Sequence, residues 1–259
     1  MMRSKPDQIR AFYHTLFSMW GRQHWWPAHS PFEVILGAYL TQNTSWINVG
    51  KALARLRAAG LVSVDGIRRT RLRRLENLIR SSGYFRQKAQ RLKTFVRFLD
   101  KHYSGSLARM FAQPPMKLRE QLLALNGVGP ETADSILLYA GNQPVFVVDA
   151  YTRRILERHD LIASRATYDE IRELFERALA PVGVDAAGQQ PKVEMANLIG
   201  SLRGSSHSPS RMSQSSRTPL TQVFNEMHGL LVGVGKNYCL KTHMRCEECP
   251  LQKYLPEKS

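Results

Sequence analysis

Helical periodicity runs through almost the whole sequence and sets the fold class. Near the N-terminus, apolar side chains recur at Ile9, Phe12, Leu16 and Trp20, which is the spacing of one face of an amphipathic α-helix. Similar periods return in the later segments, and we find no set of strands with alternating apolar and polar residues. The apolar run VFVV is too short to imply a sheet. The sequence therefore predicts an all-α fold.

Helix signals and composition also divide the chain into segments. The basic stretch 68–80 is predicted to form one helix, and another is predicted to begin at Pro130 and end at Gly141. The stretch 201–217 differs from these because it is rich in serine with scattered arginine and has too few apolar residues to pack. We expect 201–217 to be a disordered, mobile insertion.

The charge balance points to a polyanionic partner. The 259 residues include 37 Lys and Arg against 21 Asp and Glu, a formal net charge of +16. Such an excess favours nucleic acid or an anionic membrane surface as partner, with a generally basic soluble protein as the alternative. The N-terminus has basic residues but no long apolar core after them, and no apolar run is long enough to span a bilayer. We expect a cytoplasmic protein.

A short glycine turn lies between two predicted helices. Gly127 and Gly129 permit a tight turn and a close approach of a ligand to the backbone. The helix that follows points its free N–H groups and the positive end of its dipole outward. Such a turn is able to hold a DNA phosphate without reading the base sequence, although Gly-x-Gly between helices is also an ordinary connection. The net charge favours the phosphate interpretation.

The three cysteines, Cys239, Cys246 and Cys249, are clustered near one end of the sequence. In a chain that we expect to be intracellular, this placement argues against a disulfide framework. It favours a metal site or the remnant of one.

Several of these stretches together resemble one protein family. LNGVGPETADSILLYA followed by VFVVDAYTRRI is similar to the helix-hairpin-helix plus Gly/Pro-Asp signature of the endonuclease III superfamily of DNA glycosylases. ILGAYLTQNTSWINVGKAL resembles the family's earlier helix, LIRSSGYFRQKAQRLK its helix pair, and GKNYCLKTHMRCEECPL its C-terminal iron–sulfur loop. The resemblance covers almost the whole chain apart from 185–219. WWP with GAYLTQNT and GPETAD is most similar to the 3-methyladenine DNA glycosylase III subgroup.

The resemblance implies a two-domain helix-hairpin-helix DNA glycosylase fold with a central helical barrel domain. The barrel domain, including the hairpin, would span 32–143. The second helical domain would combine 1–31 with 144–259 and carry the C-terminal cysteine loop. The implied partner is double-stranded DNA with a damaged base, without a membrane, and the implied state is a monomer.

The resemblance assigns the central catalytic role to Asp149. Cleavage of an N-glycosidic bond develops positive charge on the sugar, which a carboxylate stabilises, and the carboxylate is also able to orient or deprotonate the attacking water. From the residues alone, Asp149 is better explained as the N-cap of the helix that follows it. The two roles are compatible.

Glu131 narrows the expected reaction. Bifunctional members of the family carry at this hairpin position a lysine that forms a Schiff base and cuts the strand, and a glutamate cannot form that adduct. We therefore expect a monofunctional glycosylase that removes an alkylated purine such as 3-methyladenine. The alternatives are a bifunctional glycosylase with AP lyase activity and a DNA-binding protein without catalysis. The sequence assigns no role to Lys236.

The resemblance also implies a base pocket and a DNA-binding set. An alkylated purine is electron-poor and stacks well on indole, so the implied pocket residues are Trp25, Trp26 and Trp46, with Glu131 at most a pocket wall. The alternative is that these tryptophans fill the core. Gln42 matches the residue that fills the gap left by the extruded base, with an exposed loop amide as the alternative. The implied DNA-binding residues are Gln42, Asn126, Gly127, Val128, Gly129 and Thr132.

The cysteine spacing matches the first three ligands of the family's [4Fe–4S] loop, and Leu255 occupies the position of the fourth. Three interpretations stay open. The loop holds a cluster with Cys239, Cys246, Cys249 and a non-protein or histidine ligand; it holds zinc with the help of His243; or it is degenerate and holds no metal.

Overall fold

The computed structural model describes residues 4–256 apart from 186–206. Within these ranges every regular element is a helix, which confirms the all-α prediction. None of the described helices is both long enough and apolar enough to cross a bilayer. The contacts divide the chain into two compact units, one formed by Met1–Pro27 with Pro144–Ser259 and the other by Ala28–Gln143.

The unit formed by Ala28–Gln143 is built on helix α2 (Pro31–Leu40), in which every residue after the first is buried. Ser30 caps this helix by accepting a hydrogen bond from the Glu33 amide. The other α-helices of this unit are α3 (Trp46–Ala58), α4 (Val64–Arg69), α5 (Leu72–Leu78), α6 (Phe85–Tyr103), α7 (Leu107–Phe111), α8 (Pro115–Leu123) and α9 (Pro130–Ser135). Helix α2 contacts α3, α6, α9 and the helical turn that continues α9.

The prediction of a single helix over the basic stretch 68–80 is wrong. The chain turns at Thr70 and Arg71, between α4 and α5. The hydroxyl of Thr70 donates to the carbonyl of Gly66, which ends α4. The amine of Lys93 donates to the carbonyls of Ile67, Arg68 and Thr70, so that one cation satisfies the last acceptors of the helix. The periodicity of the stretch did not reveal this distant cap.

The segment predicted as a helix from Pro130 to Gly141 is helical throughout but changes its geometry. After α9, residues Ile136–Ala140 form a π-helical turn, and the Gly141 amide donates to the Ile136 carbonyl at 3.0 Å. All five side chains of this turn are buried.

In the unit formed by Met1–Pro27 and Pro144–Ser259, the described residues form four helices and two short 3₁₀ turns. The helices are α1 (Lys5–Trp20), α10 (Ala150–Arg158), α11 (Tyr168–Asp185) and α12 (Pro219–Asn237), and the 3₁₀ turns are Cys246–Glu248 and Gln252–Tyr254. Helix α11 contacts both α1 and α12, and α10 contacts α12. Helix α12 is largely enclosed, since every residue from Val223 to Gly235 is buried.

The expected mobile insertion at 201–217 needs a correction in its second half, while 201–206 lie outside the described residues. The His207 amide donates to the Gln23 carbonyl at 3.0 Å. Met212 and Ser213 are buried, and Arg217 donates to the Met212 carbonyl at 2.5 Å. Residues 207–217 therefore pack as an ordered turn, because a few apolar and hydrogen-bonding groups suffice to hold a short segment against a larger unit.

Candidate functional site

The predicted hairpin is formed by α8, the turn 126–129 and α9. Gly127 has a φ of +78°, a left-handed conformation that side chains other than glycine rarely adopt. Gly129 precedes Pro130 at the start of α9, and no side chain caps this helix end. Val128 is buried and anchors the turn. The arrangement leaves backbone N–H groups at the start of α9 that are suited to an anion.

Gln42, which follows α2, bonds the hairpin with one end of its amide and Arg91 on α6 with the other. Its Nε2 atom donates to the Gly127 carbonyl and to the Thr132 hydroxyl, each at 2.9 Å. Its Oε1 atom accepts from Arg91 Nη1 at 2.7 Å. The structure thus joins three of the predicted DNA-binding residues, and Gln42 is not the exposed loop amide of the alternative interpretation.

Arg91 was missed at the level of sequence. A Cβ atom added to Gly127 would lie 1.9 Å from Arg91 Nε, so the guanidinium rests directly on the glycine of the turn. Arg91 also lines an open groove whose other residues, on α6 and in the hairpin, are Arg86, Gln87, Gln90, Thr94 and Asn126. The groove combines cationic and amide side chains, which suits phosphate oxygens.

Asp149 is the N-cap of α10. Its Oδ1 atom accepts a hydrogen bond from the Thr152 amide at 2.7 Å. Its Oδ2 atom lies 3.6 Å from Nε2 of His228 on α12, and the carboxylate side chain is 13 % exposed. The helix dipole favours negative charge at this position. The capping role predicted from the residues alone is therefore present, and it uses only one of the two carboxylate oxygens.

Two titratable side chains of α12, His228 and Lys236, interact with this carboxylate, and Trp25 contacts both of them. His228 is buried, and Trp25 meets it edge-on with ring centroids 5.9 Å apart. The Lys236 amine lies 5.8 Å from the centre of the Trp25 ring. His207 also contacts Trp25, at a centroid distance of 5.1 Å. Lys236, without a role from the sequence, therefore belongs to the surroundings of Asp149.

Loss of contact with water lowers the pKa of His228, Lys236 and His207. Loss of water lowers the pKa of His228; the Asp149 carboxylate works against this, and the Lys236 cation adds to it. The pKa of Lys236 is also lowered, first by burial, while Asp149 again opposes the change. Burial likewise lowers the pKa of His207, and Lys236 acts in the same direction. The imidazole beside Asp149 is thus neutral at neutral pH.

The four residues of the expected base pocket fall in different units. Trp25 is half-buried, whereas Trp26 is only 6 % exposed, as a core side chain would be. In the other unit, Trp46 is the first residue of α3 and half-buried. Glu131 is exposed in the first turn of α9, where the helix dipole favours a carboxylate. This placement fits the simpler interpretation of Glu131 as a first-turn residue.

The three cysteines line one apolar cavity, but their surroundings do not fit a four-ligand metal centre. The fourth position, Leu255, also lines the cavity, as does Arg158, whose Nη1 donates to Cys239 Sγ at 3.1 Å. Burial raises the pKa of Cys249 to about 11. His243 is exposed, and among the described residues no group of three His, Cys, Asp or Glu side chains is arranged to hold a metal ion.

His228 was not predicted as a site residue, although the sequence contained one indication of its place. His228 and Lys236 are eight residues apart in the sequence, which is a little over two turns of a helix and places them on one face of α12. That this face is turned toward Asp149 depends on how α12 packs against α10, and no local pattern contains that information.

Comparisons with known proteins identify the family of the chain. Residues 36–181 match the family described as HhH-GPD superfamily base excision DNA repair protein. A protein of Methanocaldococcus jannaschii, whose name assigns it to the DNA repair glycosylases, is 35% identical over 260 residues and covers 100% of both chains. Endonuclease III of Thermotoga maritima is 32% identical over 149 residues, which are 58% of this chain and 65% of that protein.

Two solved structures share the fold. The H. pylori 3-methyladenine DNA glycosylase bound to 1,N6-ethenoadenine is 27% identical, with a TM-score of 0.69 over 90% of this chain and 98% of that chain. An endonuclease III–DNA complex has a TM-score of 0.71 at 21% identity over 99% of this chain and 97% of that chain, which supports the fold alone. The chain belongs to the HhH-GPD superfamily of base excision DNA repair glycosylases.

Proposed function

We propose that this protein is a monofunctional DNA glycosylase that hydrolyses the N-glycosidic bond of an alkylated purine in double-stranded DNA. The observation that carries the proposal is the geometry of Asp149. One oxygen of its carboxylate caps α10 and fixes the side chain, while the other is uncommitted to the cap and lies beside His228. A fixed, partly exposed carboxylate is what the developing positive charge on a sugar requires.

In the proposed reaction, the bond between the sugar carbon C1′ and the purine nitrogen breaks, and its electron pair leaves with the base. The oxygen of a water molecule forms the new bond to C1′, and the proton that water loses passes to Asp149 or to solvent. The products are the free base and an abasic site. The chain's own contribution is to stabilise the charged sugar and to orient the water through Asp149.

The choice of an alkylated purine rests on the chemistry of the leaving group. A purine that carries positive charge after alkylation departs as a neutral base, so the site needs no acid to protonate it. A half-buried Trp25 supplies an electron-rich surface for such a base. The likeness to an H. pylori 3-methyladenine DNA glycosylase supports the same class.

We propose that the hairpin binds the DNA backbone. The turn at Gly127 and the uncapped start of α9 supply N–H donors, and Gln42 and Arg91 hold the turn in its left-handed conformation. Contacts of this kind position a protein on DNA but carry no sequence information. Recognition of the lesion therefore falls to the residues around Asp149.

A second candidate function is a bifunctional glycosylase with AP lyase activity. Glu131 stands at the hairpin position where a lyase would carry a lysine. The Lys236 amine, however, interacts with the charge of Asp149, and burial lowers the pKa of this lysine. A lysine with a lowered pKa is a better nucleophile toward a sugar aldehyde. Lys236 is thus the residue that would carry a lyase reaction in this chain.

The first experiment incubates the protein with duplexes that each contain one lesion, and measures the released base. We expect release of 3-methyladenine by the wild type, and a rate at least about a hundredfold lower for Asp149→Asn. Asparagine caps a helix as well as aspartate does, so this variant removes the charge and keeps the cap. If Asp149→Asn released the base at the rate of the wild type, the proposed role of the carboxylate would be contradicted.

The second experiment separates the two candidate functions. Borohydride is added during reaction with the same duplex, and covalent protein–DNA adducts are separated by denaturing electrophoresis. The monofunctional proposal expects no adduct. An adduct that disappears in Lys236→Gln and persists in Glu131→Gln would establish the lyase function and name its nucleophile.

A further inference from the structure

Helix α12 places one imidazole against the carboxylate that the proposed reaction uses. His228 Nε2 and Asp149 Oδ2 are 3.6 Å apart, and both side chains are largely enclosed. This separation is slightly longer than a hydrogen bond. Catalytic hydrogen bonds are often long in a free enzyme and shorten in the complex with substrate.

The two oxygens of Asp149 are not equivalent. Oδ1 is held by the Thr152 amide at 2.7 Å, a contact that belongs to the structure of α10. Oδ2 is therefore the oxygen that remains for the sugar or the attacking water. Rotation of the carboxylate about its last bond would exchange the two oxygens, and a donor on the Oδ2 side prevents that rotation.

The groups that face His228 favour a neutral donor in this place. They include the Asp149 carboxylate, the Lys236 amine on the same helix, and the ring of Trp25, which carries no charge. A neutral imidazole has one N–H group, and a proton on Nε2 points it at Oδ2. A donor that stays uncharged holds the carboxylate without neutralising the negative charge that the sugar needs.

We infer that His228 is a positioning residue that donates from Nε2 to Oδ2 of Asp149 and so fixes the oxygen that acts in base release. The inference rests on the proposed function, since it acts through Asp149. It concerns a residue of α12, outside the hairpin and outside the stretch that precedes α10.

A matched pair of substitutions tests the inference. His228→Gln keeps a donor in about the place of Nε2, whereas His228→Met has a similar size and no donor. The single-turnover rate of base release, the dissociation constant for the lesion duplex and the melting temperature are measured for both. We expect His228→Gln to stay within about threefold of the wild-type rate, and His228→Met to fall about tenfold or more, with DNA affinity unchanged in both.

Two outcomes would overturn the inference. One is a wild-type rate in His228→Met; the other is an equal loss in both variants, which a purely structural role would produce. If Asp149→Asn retains activity, the proposed function fails; if Asp149→Asn is inactive while His228→Met is unaffected, only this inference fails.

The position of the proton on the His228 ring is a second test, which does not rest on a rate. The ¹⁵N resonances of histidine-labelled protein distinguish the two neutral forms of an imidazole, and comparison with His228→Gln assigns the signal. We expect the proton on Nε2. A proton on Nδ1 would overturn the inference.

Discussion

Arg119 and Asp134 form a bidentate ion pair that joins the two helices of the hairpin. Arg119 Nε lies 2.7 Å from Asp134 Oδ1, and Arg119 Nη2 lies 3.2 Å from Oδ2. The two side chains are 7% and 0% exposed. Burial of two charges away from water is tolerated only when they are paired with good geometry. This pair therefore favours one packing arrangement of α8 against α9.

Replacement of one partner of this pair should be strongly destabilising. Arg119→Met leaves the Asp134 carboxylate buried without its cation, and we expect a loss of about 3–5 kcal/mol in the free energy of unfolding. Denaturant unfolding followed by circular dichroism measures the change. The double variant Arg119→Met with Asp134→Leu should recover a large part of the loss. A single variant as stable as the wild type would contradict the ion pair.

The glycine of the hairpin turn should not tolerate a side chain. In Gly127→Ala, the new methyl group meets Arg91, and a left-handed φ costs alanine about 1 kcal/mol. We expect a lower stability and weaker binding to undamaged duplex DNA, measured by fluorescence anisotropy. Gly129→Ala is the control, because a Cβ there would meet no atom within 4 Å and the φ is −94°. Equal DNA affinities for the two variants would argue against the proposed role of the turn.

Lys88 should make stability depend on alkaline pH. It is 1% exposed, and its amine donates to the carbonyls of Leu40 at 2.9 Å and Ser82 at 2.6 Å. Burial, with a smaller effect of Arg91, lowers its pKa from 10.5 to about 8. Between these values the unfolded chain binds more protons than the folded one, so this residue's contribution to stability rises with pH there.

The measurement compares unfolding free energies of the wild type and Lys88→Met from pH 7.5 to 10.5. We expect the wild type to gain roughly 1 kcal/mol per pH unit relative to the variant above pH 8. Lys101→Met changes an exposed lysine of the same helix and should leave the slope as in the wild type. Parallel curves for wild type and Lys88→Met would show that the amine keeps its ordinary pKa.

The turn between α4 and α5 should contribute to DNA affinity. Arg68 is paired with Asp65 and Asp100, whereas the four arginines that follow are exposed and have no ion pair within the part of the chain that the structure describes. They are Arg69, Arg71, Arg73 and Arg74. Each phosphate contact adds about 0.9 to the slope of log affinity against log salt concentration.

Glutamine at all four positions should therefore reduce the magnitude of this slope, by up to about 4 if every arginine contacts a phosphate. The slope is measured on undamaged duplex, and base release at saturating DNA should stay near the wild-type rate. Lys101→Gln is the single-charge control at another place on the same unit. An unchanged slope would assign these arginines to a solvated surface that does not meet DNA.

The sequence was sufficient for the fold class because helical periodicity is local. Each amphipathic segment shows which face it buries, and enough such segments predict an all-helical fold. The same patterns do not contain the partner of a buried face. The turn at Thr70 depends on Lys93, more than twenty residues away, and was missed for that reason.

The residues of the candidate site also fall into those that the sequence could predict and those that it could not. Asp149 as a helix cap, and the glycines of the turn, were predictable because their chemistry is fixed by residues next to them in sequence. Other contacts of the site join residues that are 49 to 85 positions apart in the sequence. They are the contacts of Gln42 with Gly127 and Arg91, and of His228 with Asp149. Their identification required the packing of the helices.

The π-helical turn at Ile136–Ala140 has a consequence for how this hairpin tolerates change in length. Each residue of an α-helix rotates the chain by about 100°. The wider turn takes up one extra residue, so the helix before it and the chain after it stay aligned as they would in an α-helix one residue shorter. Loss of one residue here would let the turn tighten into an ordinary α-helix, with its hydrogen bonds kept and Gly141 in place. The same loss elsewhere in α9 would rotate the exit of the chain by more than a quarter of a circle, so this turn is where the helix best tolerates a change in length.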